Sequence, residues 1–293
     1  MTVPISLAGS ASGVAHATEG KPGTLSIRYA AGYSLVWIAR QVRRIANGVW
    51  RLASLMEQVG ATIWSIEDLD HHARFSHWDH PKEVRQYSAD AERGEWLNEV
   101  ENDLVHRHLS SGGVVLNLAC GAGREALLLA RRGLQVVACD WSPRMIDAAR
   151  RQAQRASLRI SFEVADLYDL PYPDNAFDYL LLTNVAYSYL FPRARRIRFL
   201  QRAYALLRPG GVFVVSFAFK REAESPGRRV VARQLLEAVR RWAPSYLEPG
   251  DRIASGHLLH SFAPDELRGE FEETGFALRE ALWDRGYAVF AKD

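Results

Sequence analysis

The sequence predicts an α/β fold: a doubly wound, mostly parallel seven-stranded sheet, with an antiparallel C-terminal edge hairpin and a helical N-terminal extension. Three observations predict it. After Gly113, short apolar runs alternate with amphipathic stretches, the pattern of strands covered on both faces by crossover helices. A glycine-bearing turn, Cys120-Gly121-Ala122-Gly123, joins the first such run to the first such helix. Near the end, Ala281–Trp283 and Tyr287–Ala291 flank Asp284-Arg285-Gly286 at hairpin spacing.

The elements follow in chain order. Residues 1–24 are rich in Gly, Ala, Ser and Thr and read as a flexible tail. From Leu35 to Val59, apolar residues recur at steps of three and four, which places Ile38, Val42, Ile45, Val49, Leu52 and Met56 on one helical stripe. Coiled-coil flanks carry opposite charges, and here they are mostly Ala, Gln and Gly. The stripe therefore reads as buried against the protein's own body, with a homodimer contact second and a membrane surface third. Residues 67–82 are polar and histidine-rich, but without compact ligand spacing, so no metal is expected there. Glu92 to His108 reads as one helix, ended by Ser110-Ser111-Gly112-Gly113. Residues 25–112 together form an expected helical cap or dimerisation region before a domain over 113–293.

Within that domain, Val114–Leu118, Gln135–Cys139, Arg159–Val164, Phe177–Leu182 and Val212–Phe217 are the expected strands. Arg124–Arg132, Pro143–Ala156 and Arg195–Leu207 are the expected helices, with Pro209-Gly210-Gly211 as a turn. Residues 220–262 are an insertion on the ligand side. Arg193, Arg195, Arg196 and Arg198 form a basic run that reads as a solvated helix face.

Composition narrows the function classes. The chain has 293 residues, 48% of them hydrophobic, enough for a packed core. Its net charge of +3 does not by itself call for a polyanion partner, and no compact RNA-binding module is visible. Two cysteines, Cys120 and Cys139, are too few for a disulfide framework and read as small buried residues in a reducing compartment. A secretory start and an apolar run long enough to cross a bilayer are both lacking, so the expected location is the cytoplasm.

Ligands of doubly wound sheets sit beyond the carboxyl ends of the strands, where strand order reverses. The first strand ends there in Asn117-Leu118-Ala119-Cys120-Gly121-Ala122-Gly123. The second ends at Asp140, an acid placed to accept the ribose hydroxyls of an adenosine. Ser142 is a candidate N-cap, with Pro143 in the first helical turn.

On these residues, the stretch from Val114 to Phe217 resembles the class I, Rossmann-like methyltransferases that use S-adenosylmethionine (SAM), particularly those acting on small molecules. Their first motif is similar to Val114–Gly123, their ribose motif to Cys139–Met145 and their adenine motif to Val164-Ala165-Asp166-Leu167. Phe177-Asp178-Tyr179 resembles the start of their fourth strand, and Leu207-Arg208-Pro209-Gly210-Gly211 the turn into their fifth. The resemblance implies SAM as cofactor and a small, possibly aromatic, methyl acceptor. It places Asn117, Ala119, Cys120, Gly121 and Gly123 around the methionine part. Asp140 would hold the ribose, Trp141 and Met145 would cover adenine, and Asp166 and Leu167 would read its edge. Thr183 and Asn184 would lie near the methyl group. Asn117 stands where the family usually has an acid, and Ala119 where it has glycine. Weaker donor binding, or another acid in place of Asn117, would follow.

Two other classes compete. Gly121–Ala126 also fits the G-x-G-x-x-A pattern of a nicotinamide-dependent oxidoreductase, and a SAM-binding partner subunit without catalysis shares the fold. Methyl transfer from a sulfonium mainly requires proximity and alignment, so the lack of a sharp catalytic motif does not exclude it. Asn184-Val185-Ala186-Tyr187 lacks the prolines of the amine-methylating motif. Tyr187, Tyr189 and Phe191 are candidates to line an aromatic acceptor pocket, and His260 is the candidate base.

Overall fold

The computed structural model describes residues 48–49, 70, 73–93, 97–220, 248–254 and 257–293. The expected tail over 1–24 and nearly all of the 35–59 stripe lie outside the described residues, as do His71, His72 and most of the 220–262 insertion.

A π-helical turn over Ala73–Trp78 leads into helix α1 (Pro81–Arg93), and α2 follows over Glu99–His108. The single helix expected from Glu92 to His108 is therefore two. Asn98 explains the restart: its extended backbone (φ −68°, ψ 169°) precedes α2, and its side chain accepts from Glu101 N–H while Glu101 reaches back to its own N–H. That reciprocal cap satisfies two otherwise orphaned donors and fixes a helix start.

The main sheet then forms from β1 (Val114–Leu118), β2 (Gln135–Asp140), β3 (Ser161–Val164), β4 (Phe177–Leu182), β5 (Leu207–Ser216), β9 (Phe276–Leu282) and β10 (Tyr287–Lys292). Helices α3 (Arg124–Arg131), α4 (Pro143–Arg155), α5 (Arg193–Leu206) and α6 (Pro264–Glu273) cover it. Strand order is β3-β2-β1-β4-β5-β10-β9. The first five strands pair in parallel, while β10 runs antiparallel to both β5 and β9. The order reverses between β1 and β4, which opens a crevice beyond their carboxyl ends. A small sheet of β6 (Ala218–Phe219), β8 (His257–Phe262) and β7 (Asp251–Ala254) lies apart from it.

Side-chain alternation along the strands builds two cores. Leu116, Leu118, Leu180, Leu182, Phe213 and Val215 face one side, packed with Phe199 and Leu200 of α5 and Leu267 and Phe271 of α6. Val115, Leu181, Val214 and Val289 face the other, with Ala126 and Leu129 of α3 and Ile146 and Ala149 of α4. The near-continuous apolar runs in the sequence arise because both faces are covered.

Two local expectations change. Pro209-Gly210-Gly211 is not a turn before the strand but an irregular part of β5, whose register against β4 jumps between Phe177↔Leu207 and Tyr179↔Val212. A Cβ on Gly211 would lie 2.8 Å from the Arg208 carbonyl oxygen and 3.1 Å from that of Asp178, so glycine is needed there. The basic run is also not wholly solvated. Arg196 is fully buried, its guanidinium 2.8 Å from Glu270 and 2.7 Å from Glu248. Cys120 and Cys139 are free and buried, and burial pushes the Cys139 thiol up to about 12. Among the described residues, no helix is long and apolar enough to cross a membrane.

Candidate active site

A cavity of about 150 Å³ sits at the reversal point, far larger than the roughly 30 Å³ share of one water. Ala119, Gly121, Asp140, Trp141, Met145, Asp166, Leu167, Thr183 and Asn184 all line it.

The bend after β1 is made of left-handed backbone: φ is 49° at Ala119, 51° at Gly121 and 90° at Gly123. A Cβ on Gly121 would meet nothing within 4 Å, so that glycine serves conformation and leaves open space beside the backbone. Gly123 has a different reason. A Cβ there would lie 3.0 Å from the Ala149 side chain, so this glycine lets the start of α3 pack on α4 and does not line the cavity. Cys120 is also buried away from the cavity. So is Asn117, whose Oδ1 accepts no hydrogen bond.

Asp140 ends β2 and is tied to the bend. Its Oδ2 accepts from Gly121 N–H at 2.9 Å and its Oδ1 from Ser142 N–H at 2.9 Å. Burial raises its carboxyl to about 6 despite those two bonds. Ser142 caps α4 by accepting from Met145 N–H at 3.1 Å, and its hydroxyl donates to Asp79 at 2.5 Å. Asp166 follows β3. Its Oδ1 accepts from Tyr168 N–H, and its Oδ2 receives Arg74 at 2.6 Å. Arg74 also pairs with Asp70 at 3.0 Å and stands 5.4 Å over the Trp141 ring. The two carboxylates thus flank one cavity from neighbouring strand ends.

The chain beyond β4 is strained: Asn184 and Val185 both have positive φ, 55° and 51°. A β-branched residue in this region is a genuine outlier. Val185 is held by donating its N–H to Ser216 Oγ at 2.7 Å. This bend turns Asn184 and the following 3₁₀ turn, Ala186–Tyr189, across the cavity mouth. Tyr189 stands edge-on to Trp78, ring centres 5.1 Å apart, and Tyr87 lies 6.2 Å from Trp78. All three rings line the cavity, as do Leu190, Phe191 and Leu258.

Of the aromatic candidates, Tyr189 and Phe191 therefore reach the cavity and Tyr187 does not. Tyr187 is fully buried on the opposite side of its turn, donates to Glu270 at 2.7 Å and packs on Phe262 and Phe271. Burial pushes its hydroxyl well above the usual range. His260 is the second candidate that stands outside the cavity lining. It is fully buried. Its Nδ1 is 2.7 Å from Asp251 and its Nε2 2.9 Å from Glu266. Burial opposes the charge, but the two carboxylate hydrogen bonds outweigh it and raise the imidazole to about 9. A cation with both nitrogens engaged is not a general base.

Sequence reasoning missed Asp70, Arg74, Trp78 and Tyr87. They precede the alternating array and are brought to the cavity by packing, such as α1 on α4, that no local motif announces.

A family model described as a methyltransferase domain matches residues 115–211. A demethylmenaquinone methyltransferase of Thermus thermophilus is 39% identical over 103 residues, 34% of this chain and 45% of that one. The chain thus spans less than half the length of that relative. A ubiquinone biosynthesis O-methyltransferase of Methylocella silvestris is 32% identical over 188 residues, 59% of this chain and 70% of that one. In fold, a Pyrococcus horikoshii protein superimposes with a TM-score of 0.50 at 21% identity, covering 76% of this chain and 99% of that one. The nicotinamide reading of Gly121–Ala126 gives way to these relationships, and the chain belongs to the class I SAM-dependent methyltransferases.

Proposed function

We propose that this cavity binds SAM along the Gly121 bend and presents its methyl group to a small aromatic acceptor of the quinone-ring type named in both relatives. One observation carries the reading: a single cavity is lined both by the Asp140 and Asp166 carboxylates and by the Trp78, Tyr87 and Tyr189 rings. In this proposal Asp140 accepts the ribose hydroxyls, Trp141 and Met145 flank the adenine, and Asp166 with the Leu167 N–H reads its edge. Thr183 and Asn184 border the reacting centre.

The residues fit the cofactor on physical grounds. Open space beside Gly121 admits a ligand against the backbone, and two carboxylates suit a ligand rich in donors and carrying positive charge. The bound cofactor supplies an electrophilic methyl group on a sulfonium. The chain's task is then to place the acceptor atom close and in line, which is worth several kcal/mol of barrier. The three rings supply rigid apolar walls for a flat molecule and exclude water from one side of it. No histidine lines the cavity among the described residues. A cytoplasmic location, and a cap or homodimer contact made by the 35–59 stripe, are parts of the same proposal that rest on sequence pattern alone.

The test is labelled-methyl transfer from SAM to a panel of hydroquinones, phenols and aliphatic alcohols. Label should enter the aromatic acceptors preferentially, and D140N should abolish most of it. Equal transfer to aliphatic acceptors, or transfer undiminished in D140N, overturns the reading.

A further inference from the structure

One segment supplies much of the cavity wall. Asn184, Ala186, Tyr189, Leu190 and Phe191 all line the cavity, and all lie in the chain that follows β4. Their aim is set where that chain bends, at two consecutive left-handed residues, Asn184 and Val185. The two are not equivalent. Asn is enriched several-fold in this conformation, whereas a β-branched residue keeps it only where its surroundings over-determine it. The strain therefore sits at Val185, and a partner must hold it.

That partner is Ser216, at the end of β5. It is fully buried and does not line the cavity, and its Oγ accepts from Val185 N–H at 2.7 Å. Further along the segment, Ser188 Oγ accepts from Ala218 N–H at 2.8 Å, and Tyr187 donates to Glu270 at 2.7 Å. The turn is thus fastened from behind, while Asn184 and Tyr189 line the cavity, Tyr189 edge-on to Trp78. A glycine at 185 would take the same backbone without steric cost, but it would also leave it freely. Valine with a hydroxyl partner gives one conformation instead of several.

We infer that Ser216 is a positioning residue for methyl transfer: by holding Val185 in the left-handed region, it fixes where Asn184 and Tyr189 meet the acceptor. This rests on the proposed reading of that wall as the acceptor's. The Asp140 and Asp166 carboxylates are held by Gly121, Ser142, Tyr168 and Arg74, and do not depend on this turn. Ser216 therefore acts on the acceptor and spares the donor.

The experiment compares S216A, V185G and the double variant in the full chain. Amide hydrogen exchange reads the turn whatever the acceptor: in S216A, exchange over 184–190 should quicken about tenfold, with the β1 and β4 cores unchanged. Kinetics use the best aromatic acceptor of the labelled-methyl panel. S216A should raise its KM about tenfold, while calorimetric affinity for S-adenosylhomocysteine stays within about twofold. V185G in the S216A background should return KM to within about threefold of wild type, because glycine takes the turn unaided. A merely structural serine would not be rescued at a second site. S216C keeps the volume with a weak acceptor, and its KM should fall between those of wild type and S216A. Unchanged exchange in S216A overturns the hold of Ser216 on the turn. An unchanged KM, a raised KM that V185G does not rescue, or an equal loss of S-adenosylhomocysteine affinity overturns the positioning role. If S216A does not fold, a wild-type KM in S216C counts against the inference. Transfer to no aromatic member of the panel would sink the acceptor reading itself.

Discussion

The two ends proposed for the cavity are built by different means. At the end proposed for adenosine, Gly121, Asp140, Trp141 and Asp166 sit within a few residues of strand ends, and the backbone of the sheet places them. At the end proposed for the acceptor, Trp78, Tyr87, Tyr189 and Leu258 come from four separate segments spread over 181 positions, and only packing brings them together. The first end is a property of the sheet and the second of the folded chain. Substitutions at the first should therefore act through single polar contacts, and those at the second through shape. A third region, the buried charges around His260 and Arg196, does not itself line the cavity, although Arg196 donates to the carbonyl oxygen of Leu190 in its wall at 3.4 Å, and should act mainly on stability.

The largest effect belongs to that third region. His260 sits between Asp251 and Glu266, and Arg196 between Glu248 and Glu270. Removing one partner of such a buried pair leaves an uncompensated charge, at about 3–5 kcal/mol. H260A should lower the melting temperature strongly while the folded fraction keeps its affinity for SAM. The sign with pH follows from the raised imidazole. Its folded value of about 9 exceeds the unfolded 6.5, so its stabilisation is complete below 6.5 and lost as pH rises through 9. Melting curves between pH 6 and 10 should show this loss in the wild type and a flatter profile in H260A. A SAM affinity that collapses in folded H260A would return His260 to the site.

Next is Asp140. D140N keeps the volume but loses the charge, and SAM binding should weaken by about 2–3 kcal/mol, roughly 30- to 150-fold. The carboxyl titrates near 6 in the folded chain, above its ordinary 3.8, because burial disfavours the ion. The protonated form therefore favours folding as pH falls from about 6 toward 4, whereas ribose binding uses the ionised form. SAM affinity should fall below pH 6 in the wild type, without unfolding, and D140N should bind weakly at every pH. An affinity flat from pH 5 to 8 would break the polar account of the adenosine end.

The same division governs what the sequence shows. Strand β4 is read to the residue, and the Asp140 and Asp166 strand ends are read with it, because apolar alternation and turn residues are local signals. The Asn98 restart was legible in principle, since Asn98 and Glu101 form a capping pair, but the apolar spacing from Trp96 to Leu109 runs through it. Tyr187 and Tyr189 differ by two positions in a 3₁₀ turn and face opposite ways, one to Glu270 and one to Trp78. Nothing in their identity separates them, because the separation comes from the left-handed Asn184-Val185 pair. His260 looked like a base because the carboxylates that hold it charged come from β7 and α6, nine positions before it and six after.

At the acceptor end, Y189A removes one wall of the ring cluster. The loss of an aromatic contact and its buried area is worth about 1–2 kcal/mol. The KM for an aromatic acceptor should rise about tenfold, while SAM binding stays within about twofold. If both fall together, the two ends are one unit and the contrast between them fails.

The smallest effect sharpens the comparison at its border, on the bend itself. Ala119 holds φ at 49°, a conformation that costs a residue with a Cβ roughly 1–2 kcal/mol. A119G relieves that strain but frees the unfolded chain, which offsets about 0.4–1 kcal/mol. The net gain should be under about 1 kcal/mol, read as a rise in melting temperature of a few degrees. Ala119 also lines the cavity, and under the proposed reading SAM should bind A119G at least as well. A destabilised A119G would mean that the methyl's packing against the core outweighs the backbone strain, and that this family departure is an adaptation of the bend rather than a tolerated cost.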